Sequence, residues 1–381
     1  MRIVVDENIP FAQGAFAGLG EVALIQGRDA TPETLREADL FLCRSVTRVD
    51  RALLEGSRVR FVGTATIGTD HVDQDYLRER GIAFASAPGS NANSVAEYVA
   101  AALLVLAERG GYELEGRTLG VVGVGNVGSR VVHKAEALGM QVLQNDPPLA
   151  RQTGDPRFRP LEELLGADFL TFHVPLAREG EDATYHMADA DFIGRLKPSA
   201  VLLNTSRGAV VDNAALCDAL TRGRLSDAVL DVWEGEPEID AELLSRVAIG
   251  TPHIAGYSFD GKVAATEMIY QAACKAIGAE PAWDASLVMP PPDCPRLEMD
   301  CEDEADEDVL RDAVLSIYDI LADDAALRQM PREGTARRLF FDRLRKTYPQ
   351  RREFHNTSLV LWGASQALRA KARGLGFKVG E

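Results

Sequence analysis

Three charged side chains in the second half of the chain are of the types that the oxidation of a 2-hydroxy acid requires. Arg207 can hold the substrate carboxylate, because a planar guanidinium donates two parallel hydrogen bonds to it. His253 can take the hydroxyl proton as general base, since an imidazole titrates near neutral pH. Glu236 can hold that imidazole and stabilise its charged form. Each one alone is more typical of a surface ion pair, so the interpretation depends on all three lying together.

A glycine motif in the middle of the chain predicts a dinucleotide site. Residues 123–128 read Gly-Val-Gly-Asn-Val-Gly, which fits G-x-G-x-x-G, and they stand between an apolar run and a helical pattern. Gly123 permits the tight turn, Gly125 lets the backbone approach a pyrophosphate, and Gly128 lets helix and strand pack closely. The pyrophosphate would then lie against the free N–H groups at the helix N-terminus. The alternative is a strand–turn–helix unit whose glycines occur by chance.

Asp146 indicates which dinucleotide the site prefers. It stands at the end of the next predicted strand, residues 141–144. Its carboxylate can accept hydrogen bonds from the hydroxyls of the adenosine ribose, and its negative charge would repel a 2′-phosphate. We therefore expect NAD rather than NADP as the cofactor.

Two series of alternating strands and helices position these residues. The first series predicts buried strands at residues 3–5, 22–25, 40–43, 59–62 and 82–85. The second predicts strands at residues 119–122, 141–144, 169–172, 201–204 and 228–230, and it ends near residues 249–251. This alternation predicts the α/β class, with two doubly wound parallel sheets: a Rossmann NAD domain and a flavodoxin-like substrate domain. Ligands bind at the carboxyl ends of the strands in such sheets, and Arg207, Glu236 and His253 all follow strand ends.

The boundaries between domains follow from a helix and a proline run. Residues 95–109 are nearly all apolar, and Ser94 and Glu97 predict a capping pair at the start of this buried helix. The helix after Ser258 is expected to return to the first domain, and prolines at 290–292 predict a stiff linker. We therefore expect a substrate (lid) domain of residues 1–93 and 258–289, an NAD-binding domain of residues 94–257, and a C-terminal α+β domain of residues 290–381.

The composition argues against several kinds of partner. The chain of 381 residues has a net charge of −17 at pH 7, which repels nucleic acid and anionic membranes, so neither is expected to bind. A basic stretch at residues 328–352 is interpreted as a solvated helical face near the acidic run 298–308, rather than as a nucleic-acid site. The longest apolar run, residues 99–107, is too short to span a bilayer.

Cysteine usage and the first residues predict a cytoplasmic protein. The chain has 5 cysteines and no C-x-x-C pair, which is typical of reduced thiols, although a disulfide between Cys294 and Cys301 stays open. Residues 1–10 lack the basic and apolar segments of a signal peptide.

Taken together, these motifs resemble the D-isomer-specific 2-hydroxyacid dehydrogenases. The resemblance runs from residue 40 to residue 262 and is carried by segments 43–47, 68–73, 173–176 and 196–198, the glycine motif, and the Arg, Glu and His segments. It implies that Arg207, Glu236 and His253 are the catalytic residues, and it implies no metal. It further implies contacts to NAD from residues of the glycine motif and of later loops, which are Asn126, Val127, Asp146, Val174, Thr205, Asp231 and Gly256.

Finer features resemble one branch of that family, whose substrate is a small phosphorylated 2-hydroxy acid. They are segments 64–69, 146–148 and 256–258, together with the C-terminal residues 290–381. The branch implies that Ser45, Thr66 and Tyr257 contact the substrate and that the C-terminal segment forms a homodimer interface. Because the chain is acidic, we expect Arg44, alone or with a basic side chain of the C-terminal segment, to offset the phosphate charge. The alternative is that Arg44 pairs with a surface acid.

Two other functions stay open. One is that of another family member, such as phosphoglycerate dehydrogenase or a hydroxypyruvate reductase, against which segment 64–69 and the C-terminal segment argue. The other is an NAD-sensing interaction protein similar to the co-repressors of the family. The intact Arg–Glu–His trio weighs against the second alternative.

Overall fold

The computed structural model describes residues 1–332 and 334–380. The chain forms two compact units, residues 1–91 with 258–291, and residues 92–257 with those from 292 onward. The segment after Ser258 thus belongs to the first unit. The C-terminal segment belongs to the same unit as residues 92–257, and its treatment as a separate domain stays a prediction.

The first unit is built on a parallel sheet from the first predicted series. Its strands are β1 (Arg2–Asp6), β2 (Glu21–Ile25), β3 (Leu40–Cys43), β4 (Phe61–Thr64) and β5 (Ala83–Ala85). The order β2-β1-β3-β4-β5, with parallel neighbours throughout, is that of flavodoxin-like sheets. Every residue of β3 is buried, which explains why it reads as an unbroken apolar run. β4 begins two residues later than predicted.

The second unit contains a larger parallel sheet from the second predicted series. Its strands are β6 (Thr118–Val122), β7 (Gln141–Asn145), β8 (Phe169–Phe172), β9 (Val201–Asn204), β10 (Asp227–Leu230) and β11 (Ile249–Gly250). The order is β11-β10-β9-β8-β6-β7, and a parallel bridge from Gln144 to Phe158 lies where a further edge strand would stand. From β6 the chain first adds β7 on one side and then adds β8 and the later strands on the other side. Doubly wound sheets bind nucleotides at this switch point, between β6 and β8. The predicted α/β class with doubly wound sheets is confirmed.

A third, smaller sheet lies in the C-terminal segment. It has three parallel strands in the order β12-β13-β14, which are β12 (Arg296–Asp300), β13 (Ser358–Trp362) and β14 (Lys378–Val379). Helices occupy most of the chain between these strands, so this segment mixes strands and helices as predicted.

The helices begin mostly at polar caps. In chain order they are α1 (Ala12–Phe16), α2 (Pro32–Leu35), α3 (Arg51–Leu54), α4 (Gln74–Glu79), α5 (Ala92–Gly110), α6 (Asn126–Ala137), α7 (Pro147–Thr153), α8 (Ala190–Arg195), α9 (Asn213–Thr221), α10 (Ala241–Arg246), α11 (Phe259–Ile277), α12 (Asp306–Ile317), α13 (Ile320–Leu327), α14 (Gly334–Lys346) and α15 (Gln366–Leu375). Asp73 and Asp212 cap α4 and α9 by accepting a backbone N–H, which satisfies a donor that the helix leaves unpaired. Across the described part of the chain, none of these helices has both the length and the apolar character needed to cross a membrane.

The predicted start of helix α5 was wrong. It begins at Ala92, so Ser94 and Glu97 lie inside the helix and do not form the predicted capping pair. The Ser94 hydroxyl donates to the carbonyl of Ala255 at 2.8 Å. The Glu97 carboxylate accepts the backbone N–H of Phe354 at 2.9 Å. Both side chains have found partners far away in the chain, which a pattern of neighbouring residues does not reveal.

Candidate active site

The glycine motif forms the turn from β6 into α6 that the sequence predicts. Gly123 has φ of +84°, and a Cβ there would lie 2.6 Å from the carbonyl oxygen of His173. A Cβ at Gly128 would overlap the carbonyl oxygen of Gly123. These two glycines are therefore required by the turn and by the packing of the helix on the strand. A Cβ at Gly125 would meet no atom of the described chain within 4 Å, so the open space beside it is compatible with a ligand that approaches the backbone.

Asp146 is joined to this turn by its side chain. One carboxylate oxygen accepts the backbone N–H of Val124 at 2.8 Å, and the other accepts that of Leu149 at 3.0 Å, which caps α7. The negative charge is thereby held beside the glycine turn. Each carboxylate oxygen can accept more than one hydrogen bond, so these contacts leave capacity for a ligand hydroxyl.

His173 is a neighbour of the turn for which the sequence did not predict a role. Its Nε2 lies 3.0 Å from the hydroxyl of Thr171, and its Nδ1 lies 3.3 Å from the hydroxyl of Thr205. Burial lowers the pKa of His173 to about 3, so the ring is neutral at physiological pH. Val174 follows it, and its Cγ1 would lie 2.8 Å from a Cβ at Gly123. The position of His173 directly after β8 was the available signal, since the carboxyl ends of strands form the ligand crevice.

The three predicted catalytic side chains line one cleft of about 320 Å³ in the second unit. His253 Nδ1 lies 2.7 Å from a carboxylate oxygen of Glu236. The other oxygen of Glu236 accepts the backbone N–H of Trp233 at 2.8 Å. Arg207 lines the same cleft as this pair. The structure thus brings together residues that are up to 46 positions apart in the chain, from Arg207 to His253.

The surroundings of Glu236 keep its carboxylate ionised. Burial alone raises the pKa of this carboxyl group, but the charge and hydrogen bond of His253, the N–H of Trp233 and the charge of Arg345 outweigh it. The net effect is a lowered pKa. A carboxylate that favours its charged form therefore faces Nδ1 of His253.

The loop that carries His253 is held in a rarely populated backbone conformation. The φ of His253 is +59°, in the left-handed region that a non-glycine residue seldom adopts. Asp231, which is only 1% exposed, accepts the N–H groups of Ile254 and Ala255 with its carboxylate, at 2.7 and 3.0 Å. The backbone carbonyl of Asp231 accepts the N–H of His253 at 2.7 Å. These bonds stabilise the loop in the form that directs His253 to Glu236.

Arg207 lies in a similarly tight turn after β9. The side chain of Asn204 accepts the N–H of Ser206 at 3.1 Å and donates to the carbonyl of Arg207 at 3.0 Å. A Cβ at Gly208 would overlap the backbone of Trp233, so only glycine allows this turn to lie so close to the loop after β10. The guanidinium of Arg207 donates to the carbonyl of Ser206 at 2.9 Å.

The predicted substrate residues of the first unit lie at the ends of β3 and β4. Arg44 Nε is 3.0 Å from a carboxylate oxygen of Asp6, which is 1% exposed, so its partner is a buried acid and not a surface one. The hydroxyl of Thr66 lies 2.8 Å from that of Thr64 and donates to the carbonyl of Gly68 at 2.9 Å. Ser45 follows Arg44 in the same loop.

Tyr257 lies in the second unit against the C-terminal segment. Its ring packs edge-on against that of Tyr348, with centroids 5.8 Å apart. The guanidinium carbon of Arg345 lies 5.4 Å from the centroid of Tyr257. Neither Tyr348 nor Arg345 was predicted to be near the site, because the C-terminal segment carries no recognisable chemical motif.

One group among the described residues has the composition of a metal site. His186, Asp212 and Glu234 each place a ligand atom within 4.8 Å of the others. However, His186 Nε2 lies 2.7 Å from one oxygen of Glu234, and the other oxygen accepts the backbone N–H of Asn213 at 3.0 Å. Hydrogen bonding accounts for these contacts without an ion, and the expected absence of a metal stays a prediction.

Comparison with known proteins agrees with this geometry. Residues 94–255 match the family described as D-isomer specific 2-hydroxyacid dehydrogenase, NAD binding domain, and residues 288–375 match a domain of unknown function. A solved D-lactate dehydrogenase from Aquifex aeolicus, complexed with NAD and lactic acid, superposes with a TM-score of 0.60 at 27% identity, covering 73% of this chain and 96% of that one. An NAD-dependent formate dehydrogenase from Staphylococcus aureus has the same fold, with a TM-score of 0.61 at 24% identity over 75% of this chain and 98% of that one.

Relatives of known name match nearly the whole chain. The erythronate-4-phosphate dehydrogenase of Cronobacter sakazakii is 48% identical over 381 residues, covering 99% of this chain and 98% of the relative. That of an Escherichia coli strain is 47% identical over 371 residues, covering 96% of both. At this coverage the match to the first relative includes nearly all of the C-terminal segment. The chain therefore belongs to the erythronate-4-phosphate dehydrogenases, within the D-isomer-specific 2-hydroxyacid dehydrogenases, and is an NAD-dependent 2-hydroxyacid dehydrogenase.

Proposed function

We propose that this chain oxidises 4-phospho-D-erythronate with NAD to 2-oxo-3-hydroxy-4-phosphobutanoate, a step in the biosynthesis of pyridoxine 5′-phosphate (vitamin B6). The names of the relatives support the substrate. The observation that carries the chemistry is the hydrogen bond of 2.7 Å between His253 and Glu236, in a cleft that Arg207 also lines. A base, its orienting carboxylate and a carboxylate-binding cation are what the oxidation of a 2-hydroxy acid requires.

His253 is the general base of the proposed mechanism. Its Nδ1 is directed to the ionised Glu236, so Nδ1 carries the proton and donates it, and Nε2 presents a lone pair. Nε2 takes the proton of the C2 hydroxyl, and Glu236 stabilises the imidazolium that forms. When bound, NAD supplies the acceptor for the hydride that leaves C2. In the reverse direction His253 returns the proton to the oxygen at C2.

Arg207 holds the carboxylate of the substrate in this proposal. A guanidinium gives two parallel hydrogen bonds to a carboxylate, which fixes the plane of the acid and so presents C2 in one orientation. The close approach of Gly208 to the backbone of Trp233 keeps this turn beside the loop that leads to Glu236. Positioning of this kind accounts for a large part of the acceleration in reactions with two reactants.

The second unit would hold NAD at the glycine turn. The open space beside Gly125 would admit the pyrophosphate at the N-terminus of α6, where the backbone N–H groups of Asn126 and Val127 would hold it. Asp146 would accept hydrogen bonds from the ribose. The resemblance adds Val174, Thr205, Asp231 and Gly256, although the contacts of Asp231 favour an indirect role, in which it shapes the loop that carries His253.

The cofactor assignment is tested by one substitution. Asp146→Ala should narrow the preference for NAD over NADP, because it removes the charge that repels the 2′-phosphate. Steady-state kcat/KM with both cofactors measures this preference. Asp155→Ala, which removes a carboxylate that follows α7, is the control. Equal use of NADP by the unaltered protein would contradict the assignment.

Ser45, Thr66 and Tyr257 are proposed to contact the substrate, and Arg44 to share in neutralising its phosphate. The ion pair between Arg44 Nε and Asp6 offsets part of the positive charge of the Arg44 guanidinium. The substrate as a whole is tested by NADH formation with a panel that includes 4-phospho-D-erythronate, 3-phosphoglycerate and D-lactate. A higher kcat/KM on another acid of the panel would contradict the proposed substrate, and no NADH with any acid would favour a nucleotide-sensing role.

We further propose a cytoplasmic homodimer whose interface is formed by the C-terminal segment. The five cysteines are all free, which is typical of a reducing compartment. Trp362 on β13 is 57% exposed, which suits a surface that a second copy covers. Sedimentation of the full chain tests the dimer. A monomer at micromolar concentration, or a dimer unaffected by Trp362→Glu, would contradict this interface.

A further inference from the structure

Arg345 lies in the last turn of α14, and that helix is firmly placed. Phe341 is fully buried in the hydrophobic core that also contains Trp233, and Leu344 packs against the same core. Arg338 forms an ion pair of 3.0 Å with Glu238, in the loop after β10. The helix of the C-terminal segment is therefore anchored on the loop that carries Glu236.

The guanidinium of Arg345 packs over the ring of Tyr257. Its central carbon lies 5.4 Å from the ring centroid of Tyr257, a distance at which a cation and an aromatic face attract each other. Tyr348 packs on the same ring, and its hydroxyl donates to Asp323 at 2.8 Å. Tyr257 is thus fixed from one side, which fixes the guanidinium in turn.

The Nε donor of Arg345 is not satisfied by the part of the chain that the structure describes. Its Nε is buried and has no hydrogen-bond partner among the described residues. Nor does any carboxylate of the described chain form an ion pair with it, whereas Arg44 pairs with Asp6 and Arg338 with Glu238. A buried donor without a partner is destabilising, so a ligand that accepts a hydrogen bond from Arg345 would stabilise this arrangement.

The charge of the proposed substrate matches this arrangement. The chain carries a net charge of −17, and the substrate adds a carboxylate and a phosphate. Arg207 accounts for the carboxylate. The positive charge of Arg345 acts on Glu236. Together with His253 and Trp233, it outweighs the effect of burial and lowers the pKa of that carboxyl group.

We propose that Arg345 binds the phosphoryl group of the substrate, and that the ring of Tyr257 holds its guanidinium in place. This inference rests on the proposed function. It gives the C-terminal segment a part in substrate specificity, because a phosphorylated acid would gain a charge-assisted hydrogen bond that an unphosphorylated one cannot make.

The test compares two arginines of the same helix. Arg345→Ala should lower kcat/KM for 4-phospho-D-erythronate by about 10- to 100-fold, mainly through KM, as expected for a lost hydrogen bond to a charged group. For D-erythronate, used as a substrate or as a competitive inhibitor, KM or Ki should change by less than about 3-fold. Arg343→Ala, which removes an exposed guanidinium from α14, should leave both values unchanged.

A second measurement does not depend on turnover. With saturating NADH, inorganic phosphate should raise the melting temperature of the unaltered protein and of Arg343→Ala, and have no such effect on Arg345→Ala. Equal losses on both acids together with a shifted pH profile would assign Arg345 to the positioning of Glu236 and overturn the inference. An unaltered protein that prefers another acid would overturn the proposed substrate, while the phosphate-dependent melting would still decide the role of Arg345.

Discussion

Two glutamates on the loop that follows β10 each pair with a histidine from another loop, and the two pairs are alike in composition and distance. His253 lies 2.7 Å from Glu236, and His186 lies 2.7 Å from Glu234. Both histidines have a left-handed backbone, with φ of +59° and +48°. The glutamates are two positions apart in the chain. By residue type and separation alone, either pair would serve as a base with its orienting carboxylate.

The two pairs differ in which ring nitrogen of the histidine contacts the glutamate, and in what surrounds the other nitrogen. His186 uses Nε2 for Glu234, while its Nδ1 lies 3.7 Å from Asp212 and its ring stacks on Tyr185 with centroids 4.1 Å apart. His253 uses Nδ1, and within the described part of the chain its Nε2 makes no hydrogen bond. His253 lines the cleft together with Arg207. A His–carboxylate pair is therefore a catalytic candidate only when the second ring nitrogen of the histidine faces space that a substrate can enter.

The largest expected difference concerns the histidines themselves. His253→Gln should lower kcat by about 10²- to 10⁴-fold, because it removes the proposed general base. His186→Gln, the matched control, should keep kcat within about 3-fold of the unaltered protein. Steady-state NADH formation measures both. Similar losses in the two variants would remove the distinction between the pairs.

The glutamates should differ in the same sense. Glu236→Gln keeps the shape but removes the charge that stabilises the imidazolium, and should lower kcat by about 10²-fold or more. Glu234→Gln should leave kcat nearly unchanged. If Glu234→Gln is the more damaging to turnover, the roles assigned to the two pairs are reversed.

Stability against pH offers a test of Glu236 that is independent of turnover. The folded state lowers the pKa of this carboxyl group, so its contribution to stability is present above the ordinary value, about 4.3, and is lost as pH falls through the lowered value. Glu236→Gln should remove this acid-side dependence. Melting temperatures between pH 7 and pH 3 measure it, with the exposed Glu162→Gln as a control, and an unchanged profile would contradict the assignment.

The smallest expected effect is on the stability that the second pair provides. His186→Gln should lower the free energy of unfolding by about 1 kcal/mol, the usual net value of one hydrogen bond, here between partly buried side chains. Urea denaturation measures this loss. A loss above about 3 kcal/mol, or a dependence of stability on added Zn²⁺, would indicate that His186, Asp212 and Glu234 do more than hold the loop.

Sequence patterns predicted most of the two large sheets and the residue types of the site. Strands β3, β8 and β9 have the predicted bounds, because strands buried on both faces appear as short, mostly apolar runs. The capping pair at Ser94 and Glu97 was wrong, since both side chains bond to distant segments instead. The three-stranded C-terminal sheet was not located strand by strand. Short strands such as β14 carry too few residues to show a period.

What the sequence by itself determined is therefore local: the glycine turn, the parallel α/β architecture, and an Arg, a Glu and a His at strand ends. These follow from steric rules and from hydrophobic patterns that span only a few residues. Only the tertiary structure decided that His253 rather than His186 has a nitrogen left for a substrate, and that Arg345 lies over Tyr257. The physical reason is that hydrogen bonds and cation–ring contacts depend on distances of a few ångströms between segments far apart in the chain, and packing alone sets those distances.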